Sequence, residues 1–126
     1  MKLVNKDLTA LWVVQPKVKS DFRAQNVLLI REEAVSLSKA LPGTKLCGST
    51  IVSIEKLSPK EFFGKGKVDE LDTLFKSNKI QLVMINSQIS PIQQQNLEKK
   101  WKVKILDRTA LILEIFSDRA VTKEGV

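Results

Sequence analysis

The sequence contains no histidine, no tyrosine and a single cysteine among its 126 residues. Without imidazole, the chain lacks the usual general base, the commonest metal ligand and every catalytic triad built on histidine. One cysteine cannot form an internal disulfide or supply the three or four N/S ligands of a zinc site. What is left is carboxylate or lysine chemistry, or no chemistry at all in this chain. We expect Cys47 to be a small buried core residue.

Long hydrophobic runs are also absent, since no apolar stretch approaches the about 18 residues of a membrane span. Charges interrupt residues 1–7, which therefore do not resemble a targeting segment. We predict no membrane insertion and a cytoplasmic protein. The composition, 43% hydrophobic and 28% charged, is that of an ordinary globular domain. Lys and Arg number 21 against 14 Asp and Glu, so the net charge of +7 favours a partner rich in phosphate.

Four short β-branched runs alternate with segments of helical character, and they cover residues 11–14, 50–54, 80–85 and 103–106. The run at 80–85 shows little polar alternation, which is typical of a strand covered on both faces in a parallel sheet. The alternation predicts an α/β fold. We expect a single domain of about four mostly parallel strands, alternating with about four helices that cover the sheet.

Apolar spacing and capping residues predict the helices. The first carries Ile30, Ala34, Leu37 and Leu41 and stops at Pro42 and Gly43; the second starts after Gly64 and Gly66, with structural acids Asp69, Glu70 and Asp72 near its positive end. In the third, Ser90 is the cap, Pro91 the first helical residue and Gln93 completes a capping box. The fourth begins after Asp107, with Ile112, Ile115, Phe116 and Ala120 at helical spacing.

The segment Gly64, Lys65, Gly66 and Lys67 is the first candidate site. Glycines just before a helix let backbone amides and the positive helix end approach an anion, and the two lysines add charge. The segment is not a Walker A loop, because Val68 stands where Ser or Thr must hold magnesium. Two interpretations are open: an anion or nucleic-acid contact, or a simple tight turn.

The second basic segment places Lys99, Lys100 and Lys102 around Trp101. The lysines could follow phosphates while Trp101 stacks on a base, or Trp101 could pack inward beneath solvated lysines. Arg108 lies just past a predicted strand, where open α/β sheets bind ligands, although it could equally pair with Asp107 or Glu114.

A phosphorylatable receiver domain has similar length and alternation, but it needs acidic residues after the first and third strands. Here Gln15 and Pro16 follow the first strand, and Asn86 and Ser87 follow the third. The acceptor aspartate is therefore absent, and the sequence excludes this class.

Several motifs in series resemble the N-terminal domain of the HflX family of ribosome-associated GTPases. They occupy residues 31–34, 63–71, 89–98 and 107–116 and continue through 119–120 and 122–125. The sequence departs from the family pattern at three places. Asn86 and Ser87 precede Ile89-Ser90-Pro91 where the family has an acidic pair, Ala110 replaces a glycine, and Glu114 replaces an aspartate.

The resemblance implies an HflX-type N-terminal α/β domain over residues 1–118 and the start of a linker helix over 119–126, with the GTPase domain outside this sequence. It implies no catalytic activity and no cofactor in these residues, since GTP and magnesium belong to the parent's GTPase domain. The implied partners are the large ribosomal subunit with its RNA, and the linker and GTPase domains of the same protein. The candidate RNA-binding residues are Gly64, Lys65, Gly66, Lys67, Lys99, Lys100, Lys102 and Arg108.

Two alternatives stay open at this point. The chain could be a stand-alone mononucleotide- or phosphate-binding α/β domain that uses the crevice at the carboxyl ends of its strands. It could also be a protein-interaction scaffold whose charge is incidental.

Overall fold

A computed structural model describes residues 8–19 and 26–124, with side chains described up to residue 117. Strands and helices alternate as the sequence predicts. The elements are β1 (Thr9–Val18), α1 (Val27–Lys39), β2 (Thr44–Ile54), α2 (Lys65–Ser77), β3 (Leu82–Ile85), α3 (Pro91–Trp101), β4 (Lys104–Asp107) and α4 (Arg108–Glu124). None of the described helices is both long and apolar enough to cross a membrane.

All four strands are parallel, and their order in the sheet is β2-β1-β3-β4. The chain therefore moves one way from β1 to β2 and the other way through β3 to β4. This reversal creates a topological switch point between β1 and β3, which is where open α/β sheets form a crevice. The predicted single α/β domain with a parallel sheet is confirmed.

Helices cover both faces of the sheet. Under α2 and α3 lies an aromatic core in which Phe75 meets Trp101 edge to face, with ring centroids 5.0 Å apart. Under α1 and α4 lies an aliphatic core that includes Leu11, Met84 and Leu111. Because each crossover helix runs antiparallel to the strands, every helix begins at the carboxyl edge of the sheet and ends at its amino edge.

Strand β1 passes through a proline, and the sheet topology explains how. Backbone groups of β1 alternate between its two neighbours: Val14 O accepts from Asn86 N on the β3 side, and Lys19 N donates to Ile54 O on the β2 side. Pro16 faces the same side as Val14, but β3 has already ended at Ile85. The missing N–H of Pro16 therefore breaks no ladder bond.

Two predictions about burial need correction. Cys47 is exposed, because it is the extra residue of a bulge in β2: Leu46 pairs with Leu11, whereas Trp12 pairs with Gly48. Phe116 has the predicted helical spacing but is 61% exposed, since α4 turns Leu111 and Ile115 towards the sheet instead.

Candidate nucleic-acid interface

The first turn of α2 presents the glycine and lysine segment to solvent. Gly64 is the N-cap residue, its side-chain-free position offers no capping group, and Val68 N donates to its carbonyl at 3.0 Å. Residues 64–67 are all exposed. The first amides of a helix have no intrahelical acceptor, so this turn keeps its donors and its positive dipole end available to an anion.

Neither glycine is required by the fold. Gly64 has a φ of −68°, which any residue adopts, and Gly66 lies within α2. A Cβ built on either glycine meets no atom within 4 Å. The simple-turn interpretation therefore loses its main reason for glycine, and the open space lies on the outer surface.

The lysines around this turn differ in their charge partners. Lys67 Nζ lies 3.4 Å from Glu70 Oε1, and Lys100 Nζ lies 3.1 Å from Asp69 Oδ1. The hydrogen bond and charge of Asp69 raise the pKa of Lys100, and Asp72 and Glu61 add to the effect. Lys100 therefore ties the last turn of α3 to α2, which brings the two basic segments together but leaves its own charge neutralised.

Trp101 is buried and cannot stack on a base. Its Nε1 donates to Val68 O at 2.9 Å, and its ring lies 6.0 Å from that of Phe63. The inward-packing alternative is confirmed, and the base-stacking alternative is wrong. Lys99 in the last helical turn and Lys102 just after it are both exposed.

A crevice of about 600 Å³ opens at the carboxyl ends of β3 and β4, and its lining includes Ile30, Asn86, Ser87 and Thr109. Arg108 Nη1 lies 3.1 Å from Glu33 Oε1 across this opening, so Arg108 pairs with neither Asp107 nor Glu114. Since α1 and α4 carry this pair, Arg108 lies on the opposite face of the sheet from Lys65 and Lys67. Asp107 is the predicted cap, since its Oδ1 accepts from Ala110 N at 2.8 Å.

Two buried amides lie at the switch point between β1 and β3. Asn86 Nδ2 donates to Gln15 Oε1 at 2.6 Å, and Gln15 Nε2 donates to Pro16 O at 3.0 Å. This pair takes the positions where a receiver domain needs carboxylates. Among the described residues, no group of three or more His, Cys, Asp or Glu side chains comes together as a metal site would require.

Comparison with known proteins identifies the family. The model of the family described as GTP-binding GTPase N-terminal matches residues 30–117. GTPase HflX of Magnetococcus marinus is 40% identical over 92% of this chain and 26% of its own length, and that of Caldanaerobacter subterraneus is 33% identical over 94% and 30%.

The chain belongs to the HflX family.

It spans about a quarter to a third of these HflX relatives, so it corresponds to one part of a longer GTPase. Among solved structures, a GTP-binding protein from Sulfolobus solfataricus in complex with GDP has a TM-score of 0.61 and 20% identity, over 87% of this chain and 30% of that chain. At this identity the likeness concerns the fold alone.

The HflX-like motif at residues 89–98 has a structural role that the sequence reasoning missed. Gln93 completes the capping box with Ser90, as predicted, and its Nε2 also donates to Ser58 O at 2.7 Å. Asn96 Nδ2 donates to Lys60 O at 2.9 Å. These two side chains attach α3 to the loop that precedes α2. The helical spacing of Gln93 and Asn96 on one face was the available signal.

The remaining polar residues of this motif attach α3 to β4. Gln94 Nε2 donates to Ile105 O at 3.1 Å, and Glu98 Oε2 accepts from Ile105 N at 3.0 Å. The HflX motif therefore holds α3 to its two neighbours. This rigid frame positions the α2 turn and the basic end of α3.

Proposed function

We propose that this chain is the ribosome-contacting N-terminal domain of an HflX-type GTPase. Its role is to bind RNA of the large ribosomal subunit in the cytoplasm and so help the parent protein associate with ribosomes and separate them. GTP and magnesium belong to the GTPase domain of that longer protein. The observation that carries the proposal is the first turn of α2, where lysines surround uncapped helix amides.

The physical case rests on what the turn offers to phosphate. Lys65 and Lys67 carry flexible positive charges, and Gly64 and Gly66 remove side chains that would hold a phosphate away from the backbone. Attraction of this kind is independent of base sequence, as befits a domain that recognises ribosome shape. Lys99 and Lys102 extend the positive surface, whereas Lys100 and Arg108 are each held by a carboxylate.

The test is the double variant Lys65→Glu/Lys67→Glu, compared with the unaltered chain for binding to isolated large subunits across a range of salt concentrations. We expect weaker binding and a salt slope reduced by about one to two, because two phosphate contacts are lost. The control is Lys17→Glu/Lys56→Glu, which changes the net charge equally at two other exposed lysines. An unchanged affinity and slope in the first variant removes the α2 turn from the proposal.

A second candidate function is favoured by the crevice at the switch point, because small ligands of open α/β sheets bind there. The polar lining of Ser87, Gln88 and Thr109 suits a nucleotide or another phosphate ester. Such a ligand must displace Glu33 from Arg108 before it gains a positive partner. Calorimetry of the chain with ATP and GTP decides this point: a micromolar site supports it, and the absence of heat eliminates it.

A further inference from the structure

Six exposed lysines lie where the strands begin and where the first three helices end. They come from turns, helix ends and strand starts that are far apart in sequence. We call them the amino-edge lysines: Lys39, Lys45, Lys76, Lys79, Lys102 and Lys104. Of these, only Lys102 belongs to the candidate set that the sequence predicted.

The sheet register brings these lysines onto one surface. Leu82 at the start of β3 pairs with Lys104, and Lys104 N donates to Gln81 O at 3.0 Å. Gly43, Thr44 and Lys104 line one small opening of about 180 Å³, which joins the start of β2 to the start of β4. Four neighbouring strands span only about 14 Å at the usual strand spacing, so the lysines form a compact group.

The carboxylates near this edge do not balance its charge. Asp72 pairs with Lys76, Glu98 accepts from the amide of Ile105, and Glu114 lines the opening beside Lys104. Around the starts of α2 and α4, by contrast, described cations meet carboxylates, as in the Lys67–Glu70 and Arg108–Glu33 pairs. The surplus positive charge of the described residues is therefore concentrated at the amino edge.

Two of the amino-edge lysines occupy backbone positions that favour glycine. Lys79 has a φ of 54° and Lys102 a φ of 56°, the left-handed conformation that ends helices. After α2, Lys79 N donates to Lys76 O at 3.2 Å and Ile80 N to Phe75 O at 2.9 Å, which completes a Schellman motif. Backbone geometry gives no reason for lysine at either position, so the reason lies in the side chains.

Compensation of helix dipoles is the competing explanation, and it covers part of the set. Lys39 and Lys76 lie in last helical turns, where a positive charge is favourable. It does not cover Lys45 and Lys104, which project from strands.

We propose that the amino-edge lysines form a docking surface for the phosphate backbone of ribosomal RNA. The identity of the RNA rests on the proposed function, but the surface is separate from the α2 turn. Protein interfaces usually centre on apolar or aromatic residues. The large exposed apolar side chains of the described residues lie elsewhere, at the start of α1, before α2, at the start of α3 and on α4. A compact group of lysines without such a centre fits phosphates instead.

The test compares two variants with the same change in charge. Lys45→Gln/Lys104→Gln removes two strand lysines at the amino edge, and Lys17→Gln/Lys56→Gln removes two exposed lysines at the opposite edge. Binding of each to isolated large subunits, and to protein-free RNA of that subunit, is measured at several salt concentrations. We expect the first variant to bind about fivefold to tenfold more weakly near 0.1 M salt, with a slope lower by one to two. The second variant should change affinity less than about twofold.

A third variant, Lys79→Gly/Lys102→Gly, separates binding from stability. Glycine suits both backbone conformations, so we expect an equal or higher melting temperature together with weaker RNA binding. A merely structural role for these lysines predicts no such opposition.

Equal losses in the two glutamine variants overturn the proposal, as does unaltered binding by the glycine variant. Binding to subunits but not to their protein-free RNA also overturns it, because the partner is then a ribosomal protein. If Lys65→Glu/Lys67→Glu alone weakens binding, the ribosome function stands and this surface is wrong. If the unaltered chain shows no saturable binding to large subunits, the proposed function itself fails.

Discussion

A Cβ on Gly48 would lie 2.5 Å from Cη2 of Trp12, closer than real side chains approach. The indole of Trp12 is fixed between β2 and α2, since its Nε1 donates to Thr50 Oγ1 at 2.9 Å and its ring meets Phe75 at 6.5 Å between centroids. The bulge at Cys47 brings Gly48 opposite Trp12 in the sheet. Bulge and glycine together make room for an aromatic residue that packs against α2.

Gly48→Ala is therefore expected to destabilise the chain by about 1–3 kcal/mol, because overpacking forces the indole or the strand to move. Urea denaturation measures this change in the free energy of unfolding. Gly64→Ala is the matched control, since its new methyl group meets no atom within 4 Å. Equal stability losses in the two variants would contradict the proposed role of Gly48.

Gly66→Ala is expected to separate stability from binding at the α2 turn. Gly66 is helical and has open space around it, so alanine should stabilise the chain by up to about 1 kcal/mol. If a phosphate approaches the backbone there, the same methyl group weakens binding to large subunits. Thermal unfolding and subunit sedimentation measure the two effects. A more stable variant that binds as tightly as the unaltered chain shows that no close approach occurs.

The sequence predicted the order and type of every element but underestimated two strands. The prediction ended β1 at Val14 because Pro16 is a poor strand residue. It continues to Val18 because β3 stops early and leaves that side of β1 without a ladder. The start of β2 was missed because Lys45 and Cys47 are exposed on an edge strand, where apolar alternation is weak. Both errors concern the neighbours of a strand, which local patterns do not encode.

The candidate site was predicted in part. The sequence located the turn before α2 and the basic end of α3, but the pairing of Lys100 with Asp69 depends on how two helices pack. The same holds for Arg108, whose partner Glu33 is 75 residues away. Lys79 escaped notice because its left-handed backbone becomes evident only when the end of α2 is seen.

Asn86→Ala should cost about 1–3 kcal/mol of stability, because Gln15 Oε1 is then left buried without its donor. Gln15 and Asn86 are only 4% and 6% exposed, so water replaces the lost bond poorly. Chemical denaturation reports the loss. Ser87→Ala, one residue later and half-buried, serves as the control and should stay within about 0.5 kcal/mol. A similar effect of both substitutions would mean that the amide pair contributes little.

Fluorescence of Trp101 provides a direct check that this residue packs inward and does not stack on RNA. The chain has two tryptophans, so Trp12→Phe leaves Trp101 as the single indole. Because Trp101 is 1% exposed and bonded to Val68 O, we expect blue-shifted emission, poor quenching by iodide and no change when RNA is added. Base stacking would quench the emission in proportion to bound RNA. Quenching of this kind, in a variant that keeps its fold, would return Trp101 to the binding surface and move the RNA away from the amino-edge lysines.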